Sequence, residues 1–175
     1  MYAIEPQTRL QPILRHNISI NRFDDSIRLI HKALSDSTGS AILNLMPLVG
    51  SSGLFRTGVT FRAKSEVATT TTIDEIVCAD KLTRIRLLKV DVEGAEHLVV
   101  KGAHDTLRHK RVDILALEYH PTIGGGTVAC SETHSRLLEY GYLLAEFRGQ
   151  TIYHLPEYAS LVRELEADLP QGQTG

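Results

Sequence analysis

Glu5, Asp36, Asp91, Glu93, Glu118 and His120 each stand at or just past the end of an aliphatic run in this chain of 175 residues. In an open α/β sheet, ligands bind beyond the carboxyl ends of the strands, so polar residues at such positions are the first candidates for chemistry. A carboxylate accepts from two vicinal hydroxyls at once, and an acid after an early strand of a nucleotide-binding half holds a ribose in that way; Glu5 is the candidate. The competing reading of Glu5 is a charge beside the positive end of the following helix. His120 exchanges a proton near neutral pH without a large pKa shift, which suits a base, although before Pro121 it could equally cap a loop. Asp91, Glu93, Glu118 and His120 also offer carboxylate oxygens and one imidazole, a set suited to magnesium or manganese. Asp91 with Glu118, on neighbouring strands, has the composition of a glycosidase acid pair. Glu96 reads as an acid favouring a helix N-terminus, and Gly94 as the residue that allows a tight strand-to-helix turn. The Gly124-Gly125-Gly126 run has no strand feeding into it and reads as a flexible lid rather than a phosphate cradle.

The elements that must position these groups follow from periodicity and punctuation. Tyr2 to Glu5 reads as a short strand ended by Pro6, and Leu10, Ile13, Leu14 and Ile18 share one face of a helix between Gln7 and Asn21, started late or kinked by Pro12. Ile27 to Leu34 and Ser40 to Met46, separated by Ser35-Asp36-Ser37-Thr38-Gly39, read as a hairpin. Pro47 to Thr72 reads as loops with one or two short strands. Thr72, with Glu75 three residues on, caps a short helix to Cys78. Ile85 to Val92 is rich in aliphatic residues, as in a central parallel strand covered on both faces. Ala95, Leu98, Val99, Ala103 and Leu107 recur at helical spacing, with Arg108, Lys110 and Arg111 at the negative end. Val112 to Leu117 is a further buried strand and Ser131 to Tyr140 a helix. Tyr142 to Phe147 and Thr151 to Leu155 close a hairpin around Arg148-Gly149-Gln150. The alternation places the chain in the α/β class: one domain over residues 1–156, then a C-terminal helix and flexible tail over 157–175, with Pro170 to Gly175 disordered.

Composition narrows the partners. Nineteen Lys and Arg against 21 Asp and Glu give a net charge of −2, so no polybasic surface awaits nucleic acid or anionic lipid, and a small or neutral substrate is expected. Cys78 and Cys130 form no C-x-x-C pair, which fits a reducing cytoplasm. The apolar runs are too short to span a membrane, and Met1 to Pro6 lacks the character of a signal peptide.

The run Lys89-Val90-Asp91-Val92-Glu93-Gly94-Ala95-Glu96, followed by Val100-Lys101-Gly102-Ala103, resembles the signature of the FkbM family of S-adenosylmethionine-dependent methyltransferases. Tyr2 to Pro6, Asn17 to Asn21, Ala33 to Asp36 with Gly39, Gly50 to Leu54, Thr72 to Asp74 and Leu117 to His120 agree with it in order, over about residues 2 to 155. The resemblance implies a Rossmann-like class I methyltransferase sheet, mainly parallel with an antiparallel C-terminal hairpin. It implies methyl transfer from S-adenosylmethionine to an oxygen, on a sugar or a secondary metabolite. Carried over by position, Glu5 binds the cofactor's ribose, Asp36 with Leu34 and Ser35 contacts the adenine edge, and Asp91 lies by the methionine end. In-line displacement needs the acceptor oxygen about 3 to 3.5 Å from the methyl carbon and relieved of its proton. Asp91, Glu118 and His120 are the catalytic candidates, His120 as base and the two acids orienting the acceptor, with no metal assigned. The partner is a small-molecule or glycan acceptor. The family's opening strand and glycine-rich turn have no counterpart, since no G-x-G-x-x-G occurs and Tyr2 to Glu5 matches the second strand. That strand lies between those ending at Glu5 and Asp91, so two edges are expected to face a gap. Two alternatives stand beside this reading: a catalytically inactive methyltransferase-like fragment or interaction module, and another nucleotide-dependent Rossmann enzyme.

Overall fold

The computed structural model describes residues 1–45, 52–54, 64–120, 126–147 and 150–167. In chain order the strands and helices are β1 (Tyr2–Ile4), α1 (Gln11–Ile20), β2 (Arg28–Ile30), β3 (Ala33–Leu34), β4 (Gly39–Leu45) and β5 (Lys64–Thr71). Then come α2 (Ile73–Ala79), β6 (Ile85–Val90), α3 (Glu96–Lys101), α4 (His104–Arg108), β7 (Val112–Leu117), α5 (Gly126–Glu139), β8 (Leu143–Phe147), β9 (Gln150–His154) and α6 (Ala159–Ala167). Helices and strands are mixed along the chain, as the α/β expectation required, with four strands in succession from β2 to β5 and strand–helix alternation from β5 to α5. Arg148-Gly149, Gly124-Gly125, Pro121, Gly50-Ser51 and the tail from Pro170 lie outside the described residues, as does most of the loop predicted from Pro47.

Among the described residues the strands form three groups. β1 and β2 run parallel; β5 stands between β3, parallel to it, and β4, antiparallel; and β6, β7, β9 and β8 lie in that order. In the last group β6 and β7 are parallel and the C-terminal hairpin is antiparallel, as predicted. The predicted hairpin of Ile27 to Leu34 with Ser40 to Met46 is not formed. β2 has β1 as its partner, and β4 pairs over seven residues with β5, from Gly39 opposite Thr70 to Leu45 opposite Lys64. The threonines at the end of β5 are β-branched and favour that extended strand, which at eight residues is longer than the short strands expected in this stretch. Local turn chemistry at Ser35 to Gly39 could not disclose a partner some 25 residues away.

β6 also departs from expectation. Among the described residues it pairs only with β7, and Leu87 on it is 61% exposed, so it is neither flanked on both edges nor covered on both faces there. Among the described residues β1 has a partner only in β2 and β6 only in β7.

The helix expected from Ala95 to Leu107 is two helices. α3 ends at Gly102, where only glycine fits because a β-carbon would meet the Ser35 carbonyl oxygen at 2.1 Å. The Gly102 carbonyl accepts the Asp74 N–H at the start of α2 (3.0 Å). Asp74 in turn accepts from the Asp105 and Thr106 N–H groups (3.0 and 2.8 Å) and from the Thr106 hydroxyl (2.5 Å), capping α4. The predicted Thr72 cap is present, its hydroxyl accepting the Glu75 N–H at 2.9 Å.

The main core joins α3 and α4 to β6 and β7 through Val90, Val99, Val100, Ala103, Leu107, Leu115 and Leu117, each at most 2% exposed. Each of the valines and leucines contributes roughly 1.5 to 3 kcal/mol by leaving water. Ala33, Leu43 and Ala68 form a second, smaller core under β3, β4 and β5. Among the described residues no helix is long and apolar enough to cross a membrane.

Candidate functional site

A cleft opens where β1, β3 and β6 end. Its walls include Ile4 at the end of β1 and Glu5 after it, Leu34 on β3, Gly53, and Asp91 and Val92 after β6. Glu5 is held in place from three directions. Its N–H donates to the Ile30 carbonyl (3.1 Å), its carbonyl accepts from Gln11 Nε2 (2.7 Å), and its Oε1 accepts the Gln7 N–H (2.7 Å). Of the residues expected at the cofactor, Glu5, Leu34 and Asp91 line this cleft. Ser35 and Asp36 do not. Ser35 is buried with its N–H on the Thr71 carbonyl (2.9 Å), and exposed Asp36 accepts from the Ser35 and Ser37 hydroxyls at 3.3 and 3.2 Å.

Asp91 belongs to a second group as well. One ligand atom each from Asp91, Glu118 and His120 falls within 4.8 Å of the others, so the structure brings together the three residues that the sequence nominated for chemistry. Such a set could hold a hard divalent cation. The Lys89 ammonium competes for that place, 2.9 Å from Asp91 Oδ2 and 3.9 Å from Glu118 Oε2. Glu118 is oriented by Gln150 Nε2, which donates to Oε2 at 3.1 Å, and its N–H extends the β6–β7 ladder to the Val90 carbonyl (3.0 Å). Tyr119 anchors the same segment from the other side, its hydroxyl 3.1 Å from that of Tyr153, which lies 2.9 Å from His134 Nδ1. Burial holds the Tyr119 hydroxyl far above its ordinary pKa, so it stays a neutral anchor.

The turn between β6 and α3 supplies two further acids. Glu93 has φ +53°, the left-handed region that costs a residue with a side chain about 1 to 3 kcal/mol, and Gly94 follows at φ +95°. Gly53 presses on this turn: a β-carbon there would stand 3.0 Å from both Glu93 Cβ and the Glu93 carbonyl oxygen. The result points the Glu93 carboxylate at His120, with Oε2 3.6 Å from Nε2. Glu96, expected only to favour a helix N-terminus, is 3% exposed; its Oε1 lies 2.8 Å from His120 Nδ1 and accepts the Gly94 N–H at 3.1 Å. Sequence reading missed this contact because 24 residues separate the pair; the one signal was an acid within an apolar helical stripe.

The electrostatics follow from this crowding. Burial pushes the Glu93 carboxyl above its ordinary value, opposed by His120 and reinforced by Asp91, Glu96 and Glu118. For His120, burial acts to lower the pKa, but the hydrogen bond and charge of Glu96, together with Glu93 and Asp91, outweigh it and the net shift is upward.

A solved structure, that of methyltransferase FkbM from Methylobacillus flagellatus KT, is similar to this chain, with a TM-score of 0.54 and 19% sequence identity. The match covers 87% of this chain and 36% of that one, so the chain spans about a third of its length. At that identity the likeness concerns the fold. No curated protein matches. The methyltransferase FkbM domain matches residues 1–144, with β1 through β7 and the whole cluster from Lys89 to His120 inside the match, and the chain belongs to that family.

Proposed function

We propose that this chain carries the donor site and the proton-handling cluster of an S-adenosylmethionine-dependent O-methyltransferase acting on a hydroxyl of a sugar or secondary metabolite. The observation that carries the reading is the double membership of Asp91, which lines the cleft with Glu5 and also converges with Glu118 and His120. A donor site and an acceptor-activating cluster that share one residue are what methyl transfer needs.

The donor set supports this cofactor. Gln7 occupies one oxygen of Glu5, and the carboxylate has further lone pairs for a ribose hydroxyl, while Ile4 and Leu34 give an apolar wall. The cleft encloses about 100 Å³, below the roughly 300 Å³ of a small-molecule pocket, so much of the ligand would lie in its open mouth. When bound, the cofactor supplies an activated methyl group on a sulfonium. Within the chain, Asp91 and Glu118 accept hydrogen bonds from the acceptor and hold its hydroxyl in line, and His120 takes its proton. Lys89 supplies positive charge between the two carboxylates, so the proposal uses no metal. Asp36 and Ser35 remain proposed for the adenine side, where they could serve through a ligand reaching past Leu34. The protein is proposed to act in the cytoplasm, with Cys78 and Cys130 as free thiols.

The test is transfer of labelled methyl from S-adenosylmethionine to a panel of free sugars, nucleotide sugars and phenolic or polyketide alcohols. Labelled methyl ether in at least one class, absent in His120→Gln, is expected. Ligand binding without transfer to any hydroxyl would favour the second reading, a methyltransferase-like interaction module.

A further inference from the structure

Glu96 has a burial out of proportion to the role of favouring a helix end. α3 has six residues, and its first cap position, Ala95, offers no side-chain hydrogen bond. An exposed acid would serve such a helix equally well, whereas a carboxylate 3% exposed loses most of its hydration and must recover it from specific donors. Two donors are present, the Gly94 N–H at 3.1 Å and His120 Nδ1 at 2.8 Å. A contact of 2.8 Å from ring nitrogen to carboxylate is a charge-assisted hydrogen bond, and the nitrogen must carry the proton because the carboxylate has none to give. The other ring nitrogen differs. Its neighbour Glu93 stands 3.6 Å away, beyond hydrogen-bond distance.

We infer that Glu96 is the positioning residue of His120: it binds the Nδ1 proton, fixes the plane and tautomer of the ring, and leaves the Nε2 lone pair to receive the acceptor's proton. In that step the acceptor O–H bond breaks as the Nε2–H bond forms, and the electron pair left on oxygen becomes the nucleophile. The imidazolium so formed lies between Glu96 on one side and Glu93 on the other, and returns its Nε2 proton to solvent afterwards. The left-handed turn at Glu93 acquires a purpose here, since it carries the second carboxylate to the face of the ring where positive charge appears. The inference rests on the proposed role of His120 as base, but the tautomer itself does not depend on methyl transfer.

Long-range proton–nitrogen correlation spectra of the full chain, with the His120 ring assigned by its loss in His120→Gln, read the tautomer directly. At a pH where the ring is neutral, the Nδ1–H form is expected to dominate by roughly tenfold or more, as one charged hydrogen bond allows. Glu96→Gln keeps an acceptor oxygen and should retain an Nδ1–H majority with a smaller excess. Glu96→Ala should lose that preference and lower turnover by about tenfold or more, within the usual contribution of a positioned base. An Nε2–H ring in the wild type, or a tautomer ratio unchanged in Glu96→Ala, would overturn the inference. Should Glu96→Ala fail to fold, the wild-type tautomer and its weakening in Glu96→Gln still decide. A ring with the expected tautomer in a chain that transfers no methyl would instead refute the functional reading and leave the positioning of His120 standing.

Discussion

Gly102 stands so close to Ser35 that a β-carbon would lie 2.1 Å from the Ser35 carbonyl oxygen. The end of β3, which brings Leu34 to the cleft, is therefore seated directly on the junction of α3 and α4. Backbone meets backbone here, so neither side can give way as a flexible side chain would. Gly102→Ala is expected to destabilise the chain by about 1 to 3 kcal/mol, the usual cost of overpacking, measured as a lower urea midpoint at unchanged slope. An unchanged midpoint would show that the contact relaxes without cost.

Asp91 links the cleft to the cluster it forms with Glu118 and His120, and its side chain is partly exposed, with Lys89 beside it. Its loss should spare the fold and damage the reaction. Asp91→Ala is expected to cut turnover at least tenfold, about 1.4 kcal/mol of barrier, with the circular-dichroism spectrum and melting transition preserved. Unchanged turnover would remove Asp91 from the mechanism.

The upward shift of His120 gives stability a pH dependence of definite sign. A base whose folded pKa exceeds its unfolded value, about 6.5 for histidine, binds its proton more tightly when folded. Its contribution is fully present below the unfolded value and is lost as pH rises through the folded one. The wild type's advantage in unfolding free energy over His120→Gln should thus be larger at pH 5.5 than at pH 8.5, measured by urea denaturation at both. An advantage that grows with pH would contradict the charge balance described for this ring.

Asp113 tests the link between the C-terminal segment and the sheet. It is 1% exposed on β7 and accepts from Arg84 Nε (2.6 Å) and the Tyr158 hydroxyl (2.9 Å), with Arg86 at 3.8 Å. Arg84 also donates to the Tyr158 hydroxyl. Arg84→Met would leave a buried carboxylate short of its nearest cation, and a clearly lower melting temperature and urea midpoint are expected. An unchanged melting temperature and midpoint would show that Arg86 and Tyr158 suffice.

Features governed by near neighbours were legible in the sequence. The Thr72 cap needs only Glu75, three residues on, and the β8–β9 hairpin needs only its own turn, so both were foreseen with nearly their observed limits. The convergence of Asp91, Glu118 and His120 was legible too, because parallel neighbouring strands bring their carboxyl ends to one side. Relationships across long separations were not. β4 has the same apolar pattern whether it pairs with the segment before it or with β5, and only the folded chain distinguishes them. The exposure of Leu87 was equally hidden, since an aliphatic strand looks alike with or without a neighbour on its second edge. Glu96 was misjudged for a related reason: an acid in the first turn of a helix has a sufficient local explanation, and nothing nearby announces His120.

Thermal unfolding with S-adenosylhomocysteine tests the claim that the cleft between Glu5 and Asp91 binds the donor cofactor. A ligand that binds only the folded state stabilises it by about 2.7 kcal/mol at a hundred times its Kd. The full chain is expected to melt cooperatively, at a temperature that rises with ligand concentration, and Glu5→Gln should lose most of that rise while melting normally without ligand. A wild-type transition indifferent to the ligand would contradict the claim.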